Sequence, residues 1–155
     1  MKLKKWALIA EIGSGIAVVV TLFFLIVGIS ENTNATRAAV YGDVIDGLND
    51  LETMRLANPA LGHAWRLFIR DSDVTSLEET ERLDLFAYLQ ILIRNYEKAY
   101  YNSRYGVIGA SEWNHFQTGI CQIYSAAQRT ELGLVFEIGG TNADFQAYVH
   151  DACAG

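Results

Sequence analysis

The sequence predicts an all-α protein: an N-terminal transmembrane helix that continues into a small bundle of about five helices. Three observations predict it. One uncharged apolar run occupies the N-terminus, and apolar residues then recur at three- and four-residue spacing through nearly all that follows. Strand signals are scarce, with no alternating run longer than about four residues. Of 155 residues, 51% are apolar, 19% are charged and one is proline. Residues 1–30 hold 20 of the apolar residues, which leaves about 47% in residues 31–155, ordinary globular usage. These proportions exclude a disordered chain, a collagen-like one, a polytopic membrane protein and a small disulfide scaffold.

The apolar run is Ile12 to Ile29, 18 residues without a charge. At 1.5 Å rise per residue it spans ~27 Å, and Trp6 to Ile29 spans ~36 Å, enough to cross ~30 Å of hydrocarbon with some tilt. Trp6 is placed as an interfacial anchor, and Glu11 lies near the inner end, within reach of headgroups. Lys2, Lys4 and Lys5 precede the run, whereas the flank after it offers Glu31 and only Arg37. This bias puts residues 1–5 in the cytoplasm as a basic flank, residues 6–29 across the bilayer and residues 31–155 outside as a helical domain. The alternative is a cleaved signal peptide and a secreted helical protein. Against it, the run exceeds the usual 7–15 apolar residues, Gly28-Ile29-Ser30 is a poor cleavage site, and the chain continues in a helical pattern. Gly13 and Ala17 form a small-xxx-small pair through which two such helices would pack as a homodimer.

Charge divides with the architecture. Residues 1–30 carry +2, from three lysines and one glutamate, and residues 31–155 carry −8, from nine basic and seventeen acidic residues. A domain this acidic lacks the footprint of a nucleic-acid binder and is repelled by anionic headgroups.

Beyond residue 31 the helical stripes follow in order. Val40, Val44, Leu48 and Leu51, with Ile45 and Met54 beside them, extend the first helix to its break at Asn58-Pro59. Leu61, Trp65 and Phe68 mark a short helix beginning at Pro59 and ended by Asp71-Ser72-Asp73. Thr75 with Glu78 reads as a capping box for the longest helix, whose stripe is Leu85, Leu89, Leu92 and Tyr96, adjoined by Phe86, Ile93 and Tyr100. Gly106 is its C-cap. Ser111 caps the next helix, with Trp113, Phe116, Ile120 and Tyr124 inward. Leu132, Val135 and Phe136 form a further short helix stopped by Gly139-Gly140. Thr141 with Asp144 caps the last, which carries Phe145, Tyr148, Val149 and Ala152.

Several of these stretches resemble a family of bacterial proteins, itself without an assigned activity, that open with one membrane helix followed by a small all-α domain. The matching stretches are Ala10 to Leu25, Glu31 to Ala39 (ENTNATRAA), Phe86 to Tyr101 (FAYLQILIRNYEKAYY), Gly106 to Ile108, Glu112-Trp113 and Phe145 to Val149. Members of that family often carry Gln-Ile-Arg-Gln where this chain has Gly28-Ile29-Ser30-Glu31, so a basic residue is missing from the outer flank here. The resemblance implies a single-pass protein of the bacterial inner membrane and implies no chemistry.

The residues themselves offer few sites. Glu97 lies at the edge of the longest helix's apolar face, beside Tyr100 and Tyr101 and one turn after Arg94. A carboxylate among tyrosines has the makings of a general acid or base; the alternative is that it accepts hydrogen bonds from tyrosine hydroxyls or pairs with an arginine of a neighbouring helix, orienting the bundle. Glu97, Arg94, Tyr100, Tyr101 and Trp113 are therefore the candidate binding residues. Tyr41, Trp65 and Tyr105 join them as aromatic residues that line either a groove or the core. Cys121 and Cys153 suit a disulfide if the domain is exported, since that compartment is oxidising; the alternative is two independent buried or terminal thiols. With His115 and His150 they also make a nominal zinc set, but the tight ligand spacings are missing, so no metal is expected. There is no Gly-x-Ser-x-Gly and no phosphate-binding glycine signature. The resulting expectation is a non-enzymatic interaction or sensing module held at the membrane, with an unidentified protein partner, no nucleic acid and no cofactor. The alternative from another class is a small tethered enzyme built on Glu97.

Overall fold

The computed structural model describes the backbone of residues 2–71, 73–138 and 140–154, and the side chains at those positions except 2–12 and 138. The expected roles of Lys2, Lys4, Lys5, Trp6 and Glu11 lie outside the described side chains, as do Ser72 and Gly139. The described residues form six α-helices and no strand: α1 Lys2–Ala57, α2 Pro59–Arg66, α3 Glu79–Arg104, α4 Ala110–Gln128, α5 Val135–Ile138 and α6 Ala143–Cys153. The fold is all-α, a long N-terminal helix followed by a small helical domain. Two compact units, 1–39 and 40–155, divide it.

In the first unit, every described side chain from Gly13 to Ala39 is exposed. Eleven large apolar residues between Ile16 and Ile29 are among them, Phe24 and Val19 by 68% and 66%. The Gly13–Ala57 stretch of α1 is long and apolar enough to cross a membrane. Thr21, the one hydroxyl amid the apolar run's second half, donates to the Ala17 carbonyl at 2.9 Å. That local bond satisfies the hydroxyl without any partner outside the helix.

In the second unit α1 first buries residues, at Val44 and Leu51, while Met54 stays half exposed. Asn58 stops α1 and caps α2: its Oδ1 accepts the N–H groups of Ala60 at 3.1 Å and Leu61 at 3.2 Å, with Pro59 first in the helix. A π-helical turn, Leu67–Asp71, continues α2 and sends Phe68 fully into the core. The expected Thr75–Glu78 box does not form. Asp73 takes both the Thr75 hydroxyl (2.7 Å) and its N–H (2.9 Å), which holds the Asp73 carboxyl below the usual carboxylate range. The start of α3 slides to Glu78, whose N–H donates to the Glu81 carboxylate at 3.0 Å.

Gly106 ends α3 at φ +69°, with its own N–H on the Ser103 carbonyl and that of Val107 on the Asn102 carbonyl. This is the left-handed cap that only glycine adopts without strain. Two further expected caps shift by one or two residues. Gly109 precedes α4, and Ser111 sits inside the first turn, donating to the Glu112 carboxylate at 2.8 Å. Asn142, not Thr141, caps α6 by accepting the Asp144 N–H at 2.9 Å, while the Thr141 hydroxyl donates to the Phe136 carbonyl. Asparagine competes for this role as well as threonine does.

Leu85, Leu89 and Ile93 of α3 are completely buried and meet Ile120 of α4, Val135 of α5, and Phe145 and Val149 of α6 in one apolar cluster. The helix α3 is central, as its wide stripe predicts. Its approach to α4 is set at Gly119, where a Cβ would stand 3.1 Å from Tyr96 Cζ and closer still to the hydroxyl. Gly119→Ala is expected to lose about 1–3 kcal/mol of stability to overpacking, despite alanine's better helix propensity. Tyr96→Phe in the same background should return part of that loss. Denaturant unfolding of the four proteins checks both statements.

Candidate functional site

The carboxyl-terminal half of α3 places four of the candidate residues in two groups. Tyr100, 3% exposed, is the hub of the first. Its ring centroid lies 4.7 Å from Tyr148, 5.4 Å from Phe145 and 5.8 Å from Trp113. The spacing of α3, α4 and α6 on the core converges these rings, because each occupies the inward stripe of its own helix. Arg104, one turn beyond, sits over the Tyr100 ring at 5.8 Å and donates to the Tyr100 hydroxyl at 3.1 Å. The indole N–H of Trp113 donates to the Tyr148 hydroxyl at 2.9 Å. The polar atoms of this cluster are spent on each other, and the rings form packed core.

The second group surrounds Glu97. Its Oε1 accepts the backbone N–H of Asn142 at 2.6 Å. Asn142 is the N-cap of α6, so the carboxylate lies at the positive end of that helix and docks it on α3. The hydrogen bond orients the bundle as one of the two expected roles does, but its donor is a backbone N–H in place of the expected tyrosine hydroxyl or arginine. Arg94 is exposed and its guanidinium lies near Gly140, in the connection that leads to Asn142. The Tyr101 hydroxyl is out of water with no hydrogen-bond partner among the described residues. Burial, then the Asp144 and Glu97 carboxylates, push its pKa up. Glu97→Ala is expected to destabilise the domain by about 0.5–2 kcal/mol, as loss of a cap does, with Glu97→Gln closer to wild type because it keeps an acceptor. Amide exchange at Asn142 and through the first turn of α6 reads the effect locally.

Cys121 and Cys153 form a disulfide, Cα–Cα 5.1 Å, that ties the last turn of α6 to the middle of α4. Both sulfurs are thereby withdrawn from the nominal zinc set, and among the described residues no three His, Cys, Asp or Glu side chains converge. The disulfide borders a shallow cleft of about 590 Å³ that Gln122, Ser125 and Arg129 share.

Sequence reasoning did not single out a third place. A cleft of about 220 Å³ lies between α1, α2, α3 and α4, lined by Glu52, Trp65, Tyr88 and Tyr96 over Leu92 and Ile123. Arg55 pairs with Glu52 and lies 5.8 Å over the Trp65 ring, and the Trp65 and Tyr88 rings meet edge to face at 5.5 Å. Burial raises the pKa of both Tyr88 and Tyr96, so both hydroxyls stay protonated at neutral pH. No sequence signal joins these residues, since they come from four helices and only folding assembles them. Compared with known proteins, the chain matches no protein-family model, no curated protein and no solved structure.

Proposed function

We propose that the protein is a single-pass membrane protein whose helical domain acts as a non-enzymatic interaction or sensing module outside the cytoplasm, anchored by residues 6–29. The observation that carries this reading is the run of eleven exposed large apolar side chains from Ile16 to Ile29, in a chain whose other apolar stripes are buried. In water such a surface is strongly unfavourable; in hydrocarbon it is not, and the helix satisfies its own backbone. Lys2, Lys4 and Lys5 before the run, against one arginine close after it, support an inside N-terminus. The Cys121–Cys153 bridge supports the same orientation, because disulfides persist in oxidising compartments. The use of Glu97 as a helix dock and of both cysteines as a bridge supports a module rather than a catalyst. The resemblance to bacterial single-pass proteins points to the inner membrane as the location.

Alkaline carbonate extraction of membranes, followed by mass measurement of the retained chain, tests the anchor. The expected result is full-length protein, residues 1–30 included, in the pellet. A soluble chain beginning near residue 31 would establish the secreted alternative instead.

A further inference from the structure

We infer that the Cys121–Cys153 disulfide is an exchange site for an external dithiol, which enters the cleft beside the bridge and, by reducing it, loosens the last turn of α6. Both cysteines are only partly buried, and both line the shallow cleft of about 590 Å³. A bridge sealed in an apolar core is reached by a thiol only after the core opens; these sulfurs border space that a thiol can occupy in the folded protein. The α4 wall of the cleft is small and polar, from Thr118, Gln122 and Ser125, and Ala152 stands beside Cys153 on α6. Thr118 and Ser125 lie one turn before and one turn after Cys121 on the same helix face, so the flanks of that cysteine carry hydroxyls rather than bulk. No aromatic side chain lines the space.

One thiolate of the dithiol attacks a sulfur of the bridge, forming a mixed disulfide and releasing the other cysteine as a thiolate. The second thiolate of the dithiol then attacks the first and releases the remaining cysteine. Two electrons pass to the protein, the dithiol leaves as its own disulfide, and the cysteine thiolates take protons from solvent. The two ends of α6 respond differently. Its first turn keeps the Glu97–Asn142 hydrogen bond, and Phe145 and Val149 stay buried. Beyond Val149 no described side chain is fully buried, and His150 and Asp151 are exposed. The bridge is therefore the main tie of the last turn, and thiol poise becomes a signal that the domain registers there. Cleft and bridge lie within residues 69–153, so the inference does not depend on the membrane anchor.

The probe is dithiothreitol, added in a concentration series to the oxidised full-length protein in a maltoside detergent. Samples are quenched with N-ethylmaleimide, and mass counts the alkylated cysteines. The expected result is reduction at a rate proportional to dithiothreitol and changed less than about threefold by about 1 M urea, which would speed a route through global unfolding about fivefold or more. Thr118→Phe, which crowds the cleft one turn before Cys121, should slow the reaction about tenfold or more. Amide exchange of the reduced protein should lose protection through residues 150–153 while Phe145 and Val149 retain it. A rate that levels off with dithiothreitol, a rise of about threefold or more in urea, an unslowed folded Thr118→Phe, or unchanged protection at residues 150–153 would each overturn the inference. Should Thr118→Phe fail to fold, the urea dependence and the amide exchange of the wild-type chain decide alone.

Discussion

Phe145→Ala is expected to cost the 40–155 unit about 3–5 kcal/mol, the range for deleting a buried aromatic ring. Phe145 is fully buried on an 11-residue helix that buries only itself and Val149 completely. A helix of that length is marginal in isolation and owes its existence to docking. The ring also packs 5.4 Å from the Tyr100 hub, so its removal opens a cavity beside Tyr100. Phe145→Leu, which keeps most of the volume, should cost less than about 1.5 kcal/mol. Denaturant unfolding followed by circular dichroism measures both, and a loss under about 1 kcal/mol for the alanine variant would contradict the packing described for α6.

Removing the Cys121–Cys153 bridge, by serine at both positions, is expected to cost about 3–4 kcal/mol in the chain-entropy view of a closed loop this long. The two cysteines are separated by 32 residues in sequence and enclose the end of α4, all of α5 and α6. The melting temperature should fall by on the order of 10–15 °C for a domain of this size. Reductant should lower the melting point of the wild type by a similar amount and leave the double serine variant unmoved. Phe145→Ala and the loss of the bridge both release α6, so their costs should sum to less than additivity predicts. A fully additive pair would mean that the two ends of α6 are held independently, by Glu97 at one and the bridge at the other.

The helical stripes were legible in the sequence because burial follows periodicity. Leu85, Leu89, Ile93, Phe116, Ile120 and Phe145 are all in the core. Met54 was not legible, since its position after Leu51 continues the stripe while the turn at Asn58 carries α2 elsewhere. Caps were the least legible feature. Thr75, Ser111 and Thr141 are each good caps by residue type, yet Asp73, Glu112 and the Phe136 carbonyl claim their hydroxyls. Local side-chain competition of this kind is decided by differences of about 1 kcal/mol, below what residue type alone resolves. At the candidate site, Glu97 stood out as a carboxylate at the edge of an apolar face, but its partner is a backbone N–H 45 residues away. A backbone group leaves no trace in sequence. The Glu52–Trp65–Tyr88–Tyr96 cleft was hidden for a related reason: Trp65 stands out singly as an aromatic that lines a groove or the core, but its neighbours there come from three other helices and meet it only through packing.

We propose above that residues 6–29 cross the membrane with the domain outside the cytoplasm. Protease shaving of intact spheroplasts, read by mass spectrometry, tests it most directly. Peptides from residues 40–155 should be released before lysis, while an epitope fused ahead of Lys2 stays protected until lysis. Protection of the domain with exposure of the N-terminal epitope would contradict it.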